Sequence, residues 1–188
     1  MTASAQTEVS PLPRPDRTIA LVGLMGVGKS SIGKRLASVF GMPFRDADHE
    51  IETAAGCSIA DIFASRGEAE FRDGERRVIA RLLEEPPHVL ATGGGAFLQP
   101  ATRALLLERA LVVWLKADLE VLARRVARKD TRPLLVGKEP MDVLRAQADV
   151  RYPVYAEAHV TVETGDSTHG AAVNAVLEAM RKHQERTV

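Results

Sequence analysis

The sequence predicts an α/β fold with a central, mostly parallel sheet and helices on both faces. Two observations carry this expectation. Short β-rich apolar runs alternate with longer stretches of helical periodicity along the whole chain. The runs themselves, such as "TIALVG" and "LVVWLKA", are nearly all apolar, the pattern of strands buried on both sides.

The elements follow in order. "TIALVG" is a strand ending in glycine, and "KSSIGKRLASVF" a helix with apolar residues at helical spacing (Ile32, Leu36, Val39, Phe40), stopped by Gly41. "MPFRDAD" is a brief strand ending in acids. From "HEIETAAG" to "RRVIARLLEE" the pattern is helical, with breaks expected near Gly56 and Gly67. "HVLAT" is a strand, "PATRALLLERA" a helix and "LVVWLKA" a strand; "DLEVLARRVARK" is a helix with Asp118 as its cap. "DTRPLLVGKEP" reads as a polar, mobile lid loop around residues 129–140. Helix resumes over "MDVLRAQADVRYPVYAEA", with a bend or break expected near Pro153. "HVTVET" is the last strand and "GAAVNAVLEAMRKH" the closing helix.

With 188 residues, 45% of them hydrophobic, the chain is expected to form one domain over residues 18–180. A proline-rich leader (1–17) is expected to be disordered and residues 181–188 to fray. Formal net charge is zero, which argues against a nucleic-acid partner. No stretch has the length of a membrane span, and the first residues lack the apolar core of a secretory signal. The single cysteine, Cys57, rules out an internal disulfide and suits a reducing compartment. The expected setting is cytoplasmic, away from membranes.

In parallel sheets ligands sit beyond the carboxyl ends of the strands, so the residues after each strand matter most. After the first strand comes "GLMGVGKSS". Gly23, Gly28, Lys29 and Ser30 match the G-x-x-x-x-G-K-[ST] phosphate loop, in its required place between strand and helix. Its glycines let successive backbone N–H groups turn inward onto phosphate oxygens, and the following helix adds its positive end. The ATP-binding stretch is therefore Gly26, Val27, Gly28, Lys29, Ser30 and Ser31, with Lys29 on the β/γ-phosphates and Ser30 a ligand for Mg²⁺.

What accepts the phosphate is less plain from residues alone. There is no N-K-x-D stretch for guanine, and "LVVWLKA" has no acid until Asp118, so it is a poor Walker-B strand. The second strand ends in "DAD". Asp46 and Asp48 share a face only if the backbone is still extended there, and either could instead cap the next helix. Arg72, Arg132 and Arg151 lie in polar sequence, where a lone arginine is most often a solvated surface residue. Together, an acid, two arginines and the bare backbone of "ATGGGAF" could form a pocket for a small carboxylated polyol. Three consecutive glycines, Gly93, Gly94 and Gly95, ask what comes so close to them.

The segments "GLMGVGKSSIGKRLA", "FRDADHEIE", "GCSIADIFASRGEAEFRDGE", "ATGGGAF", "TRPLL" and "VRYPVYAEAH", taken in order, resemble shikimate kinases over about residues 18–180. The resemblance implies the P-loop kinase fold and an ATP-dependent transfer to the 3-hydroxyl of shikimate. It implies that Asp48, Arg72, Gly93, Gly94, Gly95 and Arg151 line the shikimate site, the arginines on the carboxylate, Asp48 on ring hydroxyls and the glycine turn offering N–H groups. A side chain on that turn would then occupy space the substrate needs. It further implies Asp46 on Mg²⁺ through water, Arg132 on the transferring phosphate and Arg125 against adenine. Lys29, Asp48 and Arg132 would be the catalytic residues. The segment "ETGDSTHG", where the family's adenine loop falls, has no arginine.

Two arginines near Asp48 are expected to depress its pKa, leaving it to orient the hydroxyl first and accept its proton late. The competing readings are a related small-molecule kinase, such as one for gluconate, and a non-catalytic P-loop regulatory ATPase. Shikimate and ATP are the expected partners, and the chain is expected to be a monomer.

Overall fold

The segment TIALV has one polar residue in five, so it can only be an inner strand. It forms β1 (Thr18–Val22), buried along its whole length. The other strands of this computed structural model, which describes residues 15–127, 139–165 and 168–187, are β2 (Phe44–Asp46), β3 (Val89–Ala91), β4 (Ala110–Lys116) and β5 (Val160–Glu163). They pair in the order β2-β3-β1-β4-β5, every pair parallel. The expected α/β class with a parallel sheet is therefore observed.

Helix α1 (Lys29–Phe40) buries Ile32, Leu36, Ala37 and Phe40, and Gly41 closes it in a left-handed turn at φ 59°. Asp46 caps α2 (Ala47–Ala55) through the backbone N–H of Asp48. A reciprocal pairing of Ser58 with Asp61 starts α3 (Ile59–Leu82), which kinks at Gly67, where φ is 80° and ψ 175°. Proline opens α4 (Pro100–Arg109). Asp118 caps α5 (Leu119–Ala127) by accepting from the Glu120 N–H at 2.8 Å, as its sequence position suggested.

The expected bend at Pro153 gives way to a continuous helix. α6 (Pro140–Tyr155) runs through it, because the proline lies two residues from the end and removes a bond only from the last turn. α7 (His169–Thr187) closes the chain.

The right-handed crossover rule fixes the layers. The chain moves one way from β1 to β2 and the other way through β3, β4 and β5, so α1 lies on one face and α2 to α6 on the other. α7 returns to the first face, packing on α1 and β5, while α3 packs on α4 and α4 on β4. With all strands parallel, the phosphate loop, the "DAD" turn and the glycine turn emerge at the same edge of the sheet.

Candidate active site

Between β1 and α1 the backbone turns through Gly23, Gly26 and Gly28, at φ 145°, 81° and 98°. Side chains resist these angles, and a Cβ on Gly23 would also collide with the Leu115 carbonyl of β4. Gly28 starts α1 with no side-chain cap and no acid in the first turn, so the helix's positive end faces the loop unmasked. Lys29 Nζ donates to the carbonyls of Gly23 (2.8 Å) and Leu24 (3.2 Å), which draws the ammonium back across the loop.

The two aspartates do not share a strand face. β2 stops at Asp46 and Asp48 is already in the first turn of α2. Asp46 both caps α2 and reaches the phosphate loop: one carboxylate oxygen accepts from Asp48 N–H (3.2 Å) and the other from Ser30 Oγ (2.7 Å). That pair puts two hard oxygen donors beside the phosphate loop, which suits Mg²⁺. Mg²⁺ is usually bound through one or two protein oxygens plus phosphates and water. No cluster of three or more His, Cys, Asp or Glu side chains able to cage a metal occurs among the described residues.

The glycine turn after β3 has a different explanation from the phosphate loop. None of Gly93, Gly94 and Gly95 has a positive φ. What they lack is room. A Cβ on Gly93 would lie 2.9 Å from both Asp48 Oδ1 and Glu75 Oε1, and one on Gly94 would lie 3.1 Å from Arg151 Nη1. A Cβ on Gly95 would lie 2.7 Å from Arg72 Nη1 and 2.8 Å from its Cζ. The site's own charged side chains converge on this bare backbone from three helices, so an added Cβ would meet them whether or not a substrate is bound.

Each arginine has a partner that aims it. Arg72 Nη1 donates to Glu75 Oε2 at 2.7 Å, one helical turn away on α3, and its guanidinium lies 5.0 Å from the Phe71 ring centroid. Glu75 is only 1% exposed, and its other oxygen, Oε1, has no hydrogen-bond partner. A buried carboxylate with one free oxygen in a cleft is unusual and marks a polar site. Arg151 Nη1 donates to Gly94 O at 3.1 Å, and Tyr155 OH donates to the same oxygen at 2.5 Å. Neither Glu75 nor Tyr155 was singled out from sequence. The i,i+3 spacing of Arg72 and Glu75 on a helix was a usable signal for the first; nothing in "VRYPVY" singled out the second.

The expected depression of the Asp48 pKa is reversed. Asp48 borders the open cleft, yet crowding by protein atoms strips water from its carboxyl, and Asp46 adds negative charge; together they outweigh Lys29 and Arg72 and push the pKa up. Burial likewise pushes Glu75 up against the pull of Arg72. Counting arginines misleads here because it leaves out burial, the largest influence, and because Arg72 is shared with Glu75.

Arg125 Nη2 donates to Gly165 O at 3.0 Å, tying α5 to the segment that follows β5. Arg132 lies outside the described residues. An open concavity of about 460 Å³, lined by Lys116, Asp118, Arg145, Tyr152 and Glu163 among others, contains none of the site residues above. Among the described residues no helix is long and apolar enough to cross a membrane.

A phosphate loop at the edge of a parallel sheet, facing an acid and two aimed arginines across a glycine turn, defines a P-loop small-molecule kinase. The sequence profile of shikimate kinases matches residues 25–181. A shikimate kinase of Caulobacter vibrioides is 67% identical over 170 residues, covering 90% of this chain and 85% of that one. The structure of a shikimate kinase from Acinetobacter baumannii in complex with shikimate superposes with TM-score 0.84 at 38% identity, covering 90% of this chain and 95% of that one. A gluconokinase from Sinorhizobium meliloti has TM-score 0.61 at 21% identity over 93% of this chain and 97% of its own, a likeness of fold alone. The chain belongs to the shikimate kinase family of ATP-dependent kinases.

Proposed function

We propose that the chain transfers the γ-phosphate of ATP to the 3-hydroxyl of shikimate, giving shikimate 3-phosphate and ADP. The observation that carries this reading is the convergence of Asp48, Arg72 and Arg151 on the Gly93–Gly95 turn, opposite the phosphate loop. Two guanidiniums suit one carboxylate, and a carboxylate suits hydroxyls. Gluconate would satisfy the same groups, but the 67% identity to a shikimate kinase favours shikimate, and a regulatory ATPase would leave this second charged site without a use.

Phosphoryl transfer is governed by positioning and charge stabilisation. Backbone N–H groups from Gly26 to Ser31 hold the phosphates, and Lys29 swings from its two carbonyls onto the β/γ oxygens. Ser30 and Asp46, the latter through water, would hold Mg²⁺, which when bound would neutralise phosphate charge. Arg72 and Arg151 grip the acceptor carboxylate, and Gly94 and Gly95 present their N–H groups. Asp48 orients the attacking hydroxyl. Its raised pKa makes it a better base than an ordinary aspartate, so proton acceptance belongs to its role as well. Arg132, in the loop around 129–140, supplies further charge at the transferring group, and Arg125 lies against adenine. We place this activity in the cytoplasm, a setting the single cysteine suits, in a monomer acting on small molecules; zero net charge argues against a nucleic-acid partner.

ADP release with Mg²⁺-ATP should be fast with shikimate and negligible with gluconate or no acceptor. Equal slow release in all three would move the regulatory-ATPase reading forward. In the protein without ATP or Mg²⁺, the Asp48 carboxyl followed by ¹³C NMR should titrate above the ordinary aspartate value of 3.8. A midpoint at or below 3.8 would contradict the role of crowding at Asp48.

A further inference from the structure

Tyr155, the last residue of α6, is wholly buried, with its ring 6.4 Å from Phe97 and 5.9 Å from Trp114 between centroids. A buried phenol needs a hydrogen-bond partner, but the one it has is unexpected: the Gly94 carbonyl, inside the substrate turn, at 2.5 Å. That oxygen also accepts from Arg151, so two α6 side chains hold one peptide group. The peptides here are trans, so the Gly94 C=O and the Gly95 N–H point in opposite directions. Drawing the oxygen toward α6 turns the Gly95 N–H away from α6. Among the described residues neither the Gly94 nor the Gly95 N–H donates to another group.

A peptide between two glycines has little steric resistance to rotation. Turned over, it would offer a carbonyl oxygen where an acidic acceptor needs a donor. Arg151 cannot guard against this alone, since it is half-buried and assigned to the substrate carboxylate. We infer that the Tyr155 hydroxyl is a positioning group that locks the Gly94–Gly95 peptide with its N–H toward the acceptor and, through the shared oxygen, steadies Arg151. This rests on the acceptor site proposed above. Burial also raises the phenol's pKa, so it remains a donor at any working pH.

The test is Tyr155→Phe, which keeps the ring contacts and removes only the donor. The expected result is a rise in KM for shikimate on the order of ten-fold, the scale of one hydrogen bond, with KM for ATP unchanged and Tm nearly unchanged. Backbone ¹⁵N NMR of the ligand-free variant should show the Gly95 amide broadened or split by exchange, where the wild type gives one sharp resonance. An unchanged shikimate KM with a sharp Gly95 resonance would overturn the inference. So would equal rises in both KM values with a lowered Tm, which is the mark of a purely structural tyrosine. If the wild type does not phosphorylate shikimate, the proposed acceptor falls, while the amide spectrum, which needs no turnover, still decides whether Tyr155 locks the turn.

Discussion

Asp48→Ala is expected to lower kcat for shikimate phosphorylation by roughly 10²–10⁴-fold, the range for removing a positioned acid–base group, while ATP affinity stays near that of the wild type. Asp48 sits in the first turn of α2, so its carboxyl is presented by a helix whose start is pinned by Asp46. Removing it leaves the Ser30–Asp46 pair and the phosphate loop intact, which is why ATP binding survives. The fold should survive as well. A carboxyl whose pKa is raised on folding is one the folded state holds at a cost above that pKa, so its loss relieves the native state near neutrality. Kinetics with saturating shikimate, paired with ATP titration calorimetry, checks both halves. Near-normal kcat in Asp48→Ala would remove this residue from the mechanism.

Gly95→Ala should raise KM for shikimate by roughly 10–10²-fold, the scale of one misplaced charge-assisted pair, with KM for ATP little changed. The backbone itself accepts alanine, since Gly95 has φ −102° and ψ −11°. The added methyl instead meets the Arg72 guanidinium, at 2.7 Å from Nη1 and 2.8 Å from Cζ. Arg72 cannot yield freely, because Glu75 holds Nη1 at 2.7 Å and is itself buried. The guanidinium must therefore either break that pair or leave its place over the turn. Steady-state kinetics with each substrate varied in turn gives the answer, and thermal melting separates misfolding from misalignment. Wild-type KM for shikimate in this variant would mean that Arg72 does not bind substrate from the position described.

Much of the fold was legible because its signals are local. The all-apolar β1, the left-handed glycine at the end of α1 and the cap at Asp118 each state their structure within a few residues. The phosphate loop was equally plain, since its function resides in contiguous backbone. The proposed acceptor site was legible only through the family resemblance, because its members lie on α2, α3, the turn after β3 and α6, and only tertiary packing brings them together. For that reason Glu75 passed as one more charge in "RDGERR", and Tyr155 as one more aromatic. The same distance misled the reading of Asp48: counting nearby arginines suggested a depressed pKa, but crowding and the neighbouring Asp46 dominate. The three glycines have a further reason for bare backbone that only the fold shows, since the site's own side chains stand against any added Cβ. Pro153 misled for the opposite reason, a strong local rule applied two residues from a helix end where it has little force.

The most direct test of the whole account is the position of the transferred phosphate. Incubating the protein with Mg²⁺-ATP and shikimate and examining the product by ³¹P–¹H correlation NMR should show a single phosphomonoester coupled to the proton on C3. A phosphate on another hydroxyl, or inorganic phosphate alone, would contradict the arrangement in which Arg72 and Arg151 fix the carboxylate and Asp48 selects the hydroxyl.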